Sequence, residues 1–258
     1  MPLSYQTTGS TTDSPLLFLH GLGSGSLQTT SAFPELKGHY VIAPDMPGHG
    51  DSLDFSVNDL NFDRFADLVI ELMDQLGLES VNLGGLSMGS GITLNIALRY
   101  PERVKKVIIL RPSWLNEKKP DHLKLVAYVG QWIEELGMEA AKEKLQNDVD
   151  FQQLAQDNPP VAKSITELFG RPETACSTAV LYKMWQDAPF SAPEALSAIS
   201  NETLVITTSR DELHPKSTAA VIAAHLPNVE TADLAPRYHQ PEEYGLELNA
   251  IVQKFLAV

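Results

Sequence analysis

The chain has 258 residues, 43% of them hydrophobic and 20% charged, with 33 acidic against 19 basic side chains and a formal net charge of -14. That length suits one domain with a sizeable core, or one domain carrying an insertion. A surface this acidic repels phosphate backbones and anionic lipid, which argues against nucleic-acid and membrane partners. The single cysteine, Cys176, excludes an internal disulfide framework and fits a reducing compartment. The opening MPLSYQTTGS has neither a basic stretch nor an apolar one, so no signal peptide is expected. No apolar run approaches the roughly 18 residues that a membrane span needs, and the expectation is a soluble, cytoplasmic protein.

Strand-like and helix-like runs alternate along the chain. PLLFLHG (Pro15–Gly21), HYVIAPD (His39–Asp45) and SVNLGG (Ser80–Gly85) are short apolar runs that read as buried parallel strands. Before the third of them, Phe65, Leu68, Val69, Leu72, Met73 and Leu76 recur at helical spacing, with Gly77 as a stop. A helix from about Met88 to Arg99 ends before Pro101, and VKKVIIL (Val104–Leu110) is the next strand. From Ser113 to Ala198 only helix-like segments follow, such as HLKLVAYVGQWIEELG and TAVLYKMWQ. Strand signals return at ETLVITTS (Glu202–Ser209), then comes the helix TAAVIAAHL, a weaker strand VETADLA and the closing helix PEEYGLELNAIVQKFL. Strands separated by helices predict a mostly parallel α/β sheet covered by helices on both faces. The boundaries expected are a core at 1–112, a helical lid at 113–198 and the rest of the core at 199–258. Such insertions lie at the strands' carboxyl ends, where ligands bind.

Gly85-Leu86-Ser87-Met88-Gly89 fits G-x-S-x-G between a strand and a helix. A serine on so tight a turn takes strained backbone angles, and only small residues two before and two after it avoid a clash. The strain exposes Oγ at the sheet's carboxyl edge, and the helix N-terminus behind it favours developing negative charge. Two decoys fall away. Gly84 and Gly89 have the spacing of a phosphate-binding loop, but Ser90 stands where that loop needs lysine. GLGSGS (Gly21–Ser26), with Asp45 ending the next strand, imitates a dinucleotide fingerprint, but Ser26 replaces the third glycine. A serine hydroxyl needs a base, and the base needs an orienting acid. Downstream, Asp211 follows one strand within TTSRDELHP, and His239 follows the last strand within APRYHQPEEYG.

FLHGLGSG (Phe18–Gly25), PDMPGHGDS (Pro44–Ser52), GLSMG, RDELHP (Arg210–Pro215) and the late His239 together resemble the landmarks of α/β-hydrolase-fold serine enzymes of the carboxylesterase and lipase type. The resemblance runs from about Leu16 to Val258. It implies an α/β-hydrolase fold with Ser87 as nucleophile, His239 as general base and Asp211 as its orienting acid. It also implies an oxyanion hole made by the backbone N–H groups of Met88 and Leu22, with Gly23 the alternative to Leu22. Two positions depart from the usual pattern: Thr208 replaces a glycine three before the aspartate, and Tyr238 replaces a glycine before the histidine.

Among the other histidines, His20 and His49 belong to the HG and PGHG turns, where turn chemistry explains them. His39, His122 and His225 have no partner at ligand spacing, and His214 is too close to Asp211 in sequence to be the obvious base. No Cys/His cluster or H-x-x-x-H pair occurs, so neither a metal nor a cofactor is expected. RPSWL (Arg111–Leu115) runs from a strand into the insertion. Trp114 is either a substrate wall or hinge packing, and Arg111 either binds a substrate carboxylate or pairs with a carboxylate of the protein. Trp132, Phe151, Phe169, Tyr182, Met184 and Trp185 supply apolar surface to be shared between the lid's own core and a substrate pocket. The expected activity is hydrolysis of a small or medium carboxylic ester, thioester or lactone through an acyl-enzyme. The alternatives are a carbon–carbon bond hydrolase or lyase, an acyltransferase, or a ligand sensor with a slow triad. The expected partner is a small-molecule substrate, and no protein partner is indicated.

Overall fold

Every strand expected from the apolar runs is present in the computed structural model, which describes residues 2–257. In chain order the elements of the first half are β1 (Tyr5–Thr8), β2 (Ser14–Leu19), α1 (Ser26–Ala32), β3 (His39–Pro44), α2 (Phe62–Gln75), β4 (Val81–Leu86), α3 (Met88–Arg99) and β5 (Val104–Leu110). Five helices then follow without a strand: α4 (Lys124–Leu136), α5 (Met138–Gln146), α6 (Val149–Asp157), α7 (Pro159–Thr166) and α8 (Ala175–Trp185). The chain closes with β6 (Thr203–Thr208), α9 (Lys216–His225), β7 (Val229–Leu234) and α10 (Pro241–Leu256).

The seven strands form one sheet in the order β1-β3-β2-β4-β5-β6-β7, parallel except for β1, which runs antiparallel to β3 at the edge. Strand β1 and helix α1 carry no apolar pattern that a reading of the sequence would catch. The sequence YQTT is almost wholly exposed and is held by its ladder to β3. Alternation along the central strands splits the core in two. Leu17, Leu19, Ile42, Leu83 and Ile109 face α2, α3 and α9, while Leu16, Phe18, Val41, Ile108 and Leu110 face α10. Burial on both sides is what drives near-continuous apolar strands into a parallel sheet.

The strand order reverses direction between β2 and β4, so the loops leaving their carboxyl ends diverge and open a crevice there. The helical insertion leaves the sheet after β5 and returns at the neighbouring β6. Its main internal contact is α4 against α8, and it is tied to the core where the Asp187 carboxylate accepts the Phe62 N–H (2.9 Å) at the start of α2. Among the described residues no helix is long and apolar enough to cross a membrane.

Candidate active site

Ser87 sits between β4 and α3 at φ 56°, ψ -110°, a left-handed conformation that a non-glycine residue holds only under constraint. The constraints are visible. A Cβ at Gly85 would meet the Gly89 backbone at 2.2 Å, and a Cβ at Gly89 would meet the Leu19 carbonyl oxygen at 2.3 Å. The turn is also anchored to β5, because the Leu110 carbonyl accepts the Ser87 N–H (3.0 Å), and to β4, because Ser90 Oγ donates to the Gly85 carbonyl (2.6 Å).

Ser87 lines a cavity of about 500 Å³ between the carboxyl edge of the sheet, the insertion and the start of α10. Leu22, Gly23, Arg111 and Trp114 line it too. Trp114 lines the cavity, while its Nε1–H donates to the Met184 carbonyl (3.2 Å) and its ring packs edge-on against Phe62. The insertion's share of the wall includes Leu123, Val126, Ile165 and Leu168. Trp132, Phe151, Phe169, Tyr182, Met184 and Trp185 do not line the cavity; four of them are buried in the insertion's own packing and the tyrosine and Trp185 lie against it.

Leu22 and Met88 donate their backbone N–H groups to no acceptor among the described residues. The Gly23 N–H is already spent on His49 Nε2 (3.0 Å). That bond fixes the loop: His49 Nδ1–H donates to the Pro47 carbonyl, while His20 accepts the Met46 N–H and donates to the Gly21 carbonyl. Burial holds the His20 imidazole down to about 4, and burial followed by the Arg171 charge holds His49 well below its ordinary 6.5. Both rings are neutral struts. Asp45, which imitated a dinucleotide ribose ligand, spends its carboxylate on the Ser26 and Asp51 backbone N–H groups.

The expected partnership of Asp211 with His239 is not formed. Asp211 Oδ2 accepts from Arg111 Nε (2.8 Å) and Nη2 (2.7 Å), and Asp211 Oδ1 accepts from His214 Nδ1 (2.8 Å). The Asp211 and Arg111 side chains are 0% and 5% exposed. Burial alone would raise the Asp211 carboxyl, but His214 and Arg111 beside it hold it down to about 2. Arg111 therefore pairs with a carboxylate of the protein, the second of the two readings of its sequence position. His239 is not part of the cavity wall, and its buried Nδ1 has no hydrogen-bond partner. Its neighbour Tyr238 is in the wall instead, with the Arg111 guanidinium 5.3 Å from its ring.

One residue that the reading of the sequence passed over, Ser113, stands beside the nucleophile, and one that it set aside, His214, lines the same cavity. Ser113 Oγ lies 3.1 Å from Ser87 Oγ and donates to the Leu213 carbonyl (2.8 Å), while His122 Nε2–H donates to the Ser113 carbonyl (2.9 Å). The sequence signal for His214 was the D-x-x-H spacing in one turn; for Ser113 there was none beyond its place after a strand. Among the described residues no three His, Cys, Asp or Glu side chains converge as metal ligands.

A serine strained at the carboxyl edge of a parallel sheet, ahead of a helix, is the arrangement on which serine hydrolases are built. The chain matches the alpha/beta hydrolase fold family over residues 14–241 and belongs to it. It is 29% identical to a 2-hydroxymuconate semialdehyde hydrolase of Pseudomonas sp. strain CF600, over 94% of this chain and 87% of that one. It is 25% identical to lipase 3 of Moraxella sp. strain TA144, over 92% and 75% respectively. The solved enol-lactonase from Burkholderia xenovorans LB400 shares the fold at a TM-score of 0.75 and 18% identity, over 99% of this chain and 96% of that one.

Proposed function

We propose that this α/β hydrolase cleaves a small or medium carboxylic ester, thioester or lactone through an acyl-enzyme on Ser87. The observation that carries the reading is the strained Ser87 facing a cavity beside two unspent backbone N–H groups, those of Leu22 and Met88. Ser87 Oγ bonds to the acyl carbon while its proton leaves to a base. The carbonyl oxygen takes up negative charge where the two N–H groups and the N-terminus of α3 favour it, each donor contributing roughly 3 kcal/mol. The base then returns the proton to the leaving alcohol or thiol, and water resolves the acyl-enzyme by the same steps. The helical insertion acts as a lid that supplies the apolar side of the cavity, and the substrate is a small molecule.

Intact-mass analysis after brief exposure to a fluorophosphonate tests this. One adduct on the wild-type protein and none on Ser87→Ala is the expected result, together with a loss of esterase turnover of several orders of magnitude in that variant. An unlabelled wild type, or a variant that keeps most of its esterase activity, would overturn the reading.

The similarity to a 2-hydroxymuconate semialdehyde hydrolase over nearly the whole chain supports a second reading, carbon–carbon bond hydrolysis at the same serine. In this structure Arg111 is committed to Asp211 through both Nε and Nη2, which leaves Arg237 as the other guanidinium lining the cavity to meet an acidic substrate. Turnover of 2-hydroxymuconate semialdehyde exceeding that of every ester and lactone offered would select this second reading.

A further inference from the structure

We infer that the general base serving Ser87 is His214, three residues after its own acid, and not the histidine ahead of α10. The inference rests on the reading of Ser87 as nucleophile and adds the identity of the group that takes its proton. An ionised Asp211 can only accept, so the 2.8 Å contact from its Oδ1 places the hydrogen on His214 Nδ1, while Arg111 Nη2, 3.0 Å from that same nitrogen, donates to Asp211 Oδ2 (2.7 Å) instead. Nε2 then carries the lone pair. No described group bonds to His214 Nε2, and it is not among the atoms sealed inside the protein without a partner. His214 faces the cavity that Ser87 faces. A carboxylate on one imidazole nitrogen and an open lone pair on the other is the arrangement a serine's base requires.

His239 meets neither requirement. Asp211 makes no hydrogen bond to His239: its Oδ1 accepts from His214 and its Oδ2 from both Arg111 nitrogens. Breaking into that set would uncover a buried charge. His239 Nδ1, the nitrogen an acid would hold, is buried and empty-handed, and Tyr238 takes its place at the cavity.

Ser113 shows which way the nucleophile's proton points. Its own hydroxyl hydrogen is given to the Leu213 carbonyl, so the hydrogen between Ser113 Oγ and Ser87 Oγ belongs to Ser87. The Ser87 hydroxyl at rest is thereby given to Ser113 Oγ, which is itself bonded to the residue before His214, and it turns from Ser113 to His214 Nε2 for the attack. On attack, the Oγ–C bond forms as the Oγ–H bond breaks, and the proton goes to His214 Nε2. The resulting imidazolium keeps Nδ1–H on Asp211 and passes the Nε2 proton to the leaving group, which restores the neutral ring.

The test is the rate of Ser87 labelling by a fluorophosphonate in the wild type, His214→Gln and His239→Gln. Loss of the base should slow His214→Gln by at least about 100-fold, while His239→Gln stays within about threefold of wild type. The reverse order, or equal slowing in both, would overturn the assignment. An unlabelled wild type would instead remove the nucleophile reading on which it rests, so the two failures differ. Should His214→Gln not fold, a boronic acid adduct on Ser87 of ¹⁵N-histidine-labelled protein decides. The imidazole that becomes doubly protonated on adduct formation must still give its signal in His239→Gln, and disappearance of that signal in His239→Gln would overturn the proposal.

Discussion

Arg111 brings a positive charge into a buried space where Asp211 and His214 both feel it. The guanidinium stabilises the carboxylate and, 3.0 Å from His214 Nδ1, opposes any charge on the imidazole. Burial, reinforced by Arg111 and only partly offset by Asp211, holds His214 below its ordinary 6.5. A base must be neutral to accept a proton, so the labelling rate of Ser87 should rise along a single limb lying below pH 6.5. The charged and titratable groups facing this ring are Asp211 in its own turn, Arg111 after β5 and His122 from the insertion. Arg111→Met would strip the carboxylate of its partner, at a cost of roughly 3–5 kcal/mol in stability. It would also move that limb to higher pH, because the charge opposing the imidazolium is gone. Urea unfolding and a pH–labelling profile measure the two effects, and an unmoved limb would show that Arg111 does not reach the base. The strained turn at Ser87 was legible in the sequence because it demands small residues at fixed offsets. Asp211 was legible because it follows a strand. The partners of that carboxylate were not, since chain order points to His239, and only the packing shows Arg111 and His214 on it.

At the scale of elements, the central strands and long helices were readable because burial on two faces, or on one stripe, leaves an unbroken apolar pattern. Strand β1 was not, because YQTT pairs by its backbone and its side chains face solvent. The aromatic residues of the insertion were read as shared between its own core and the cavity wall, whereas α4 and α8 press together closely enough to keep most of them in the insertion's core. The two helices come close at Gly130, where an added Cβ would lie 2.7 Å from the Thr178 carbonyl oxygen. Gly130→Val should force the pair apart at a cost of about 1–3 kcal/mol. Amide hydrogen exchange should then speed up in α4 and α8 and stay slow in β2, β4 and β5. Acceleration spread evenly over the sheet would mean that the insertion and the core unfold as one unit.

For the whole molecule, acid is the condition to which the fold is built to respond. His20, His49 and His214 are all held below 6.5 chiefly by burial, His20 to about 4, so between those values the unfolded chain binds protons that the folded chain refuses. Stability therefore falls as pH drops from 6.5 toward 4. Asp211 acts lower down: its contribution is complete above its unfolded value of 3.8 and is lost as pH falls toward 2. Surface carboxylates, which relieve the self-repulsion of a net charge of -14 on protonation, titrate mostly below pH 5. The histidines thus dominate between pH 7 and 5, and the urea midpoint should drop across that interval. A flat midpoint there would mean that these rings are solvated in the folded state.

The insertion departs from β5 and comes back on β6, and these two strands lie side by side, Leu110 against Ile206. Its ends are therefore neighbours, and the sheet closes in the same way whatever length of chain is strung between them. Since the entropy of such an excursion grows only with the logarithm of its length, the segment is a removable cassette. A foreign helical block grafted between the same two anchor points would inherit the nucleophile and bring its own ceiling, so the range of molecules admitted could be rewritten without touching the machinery beneath.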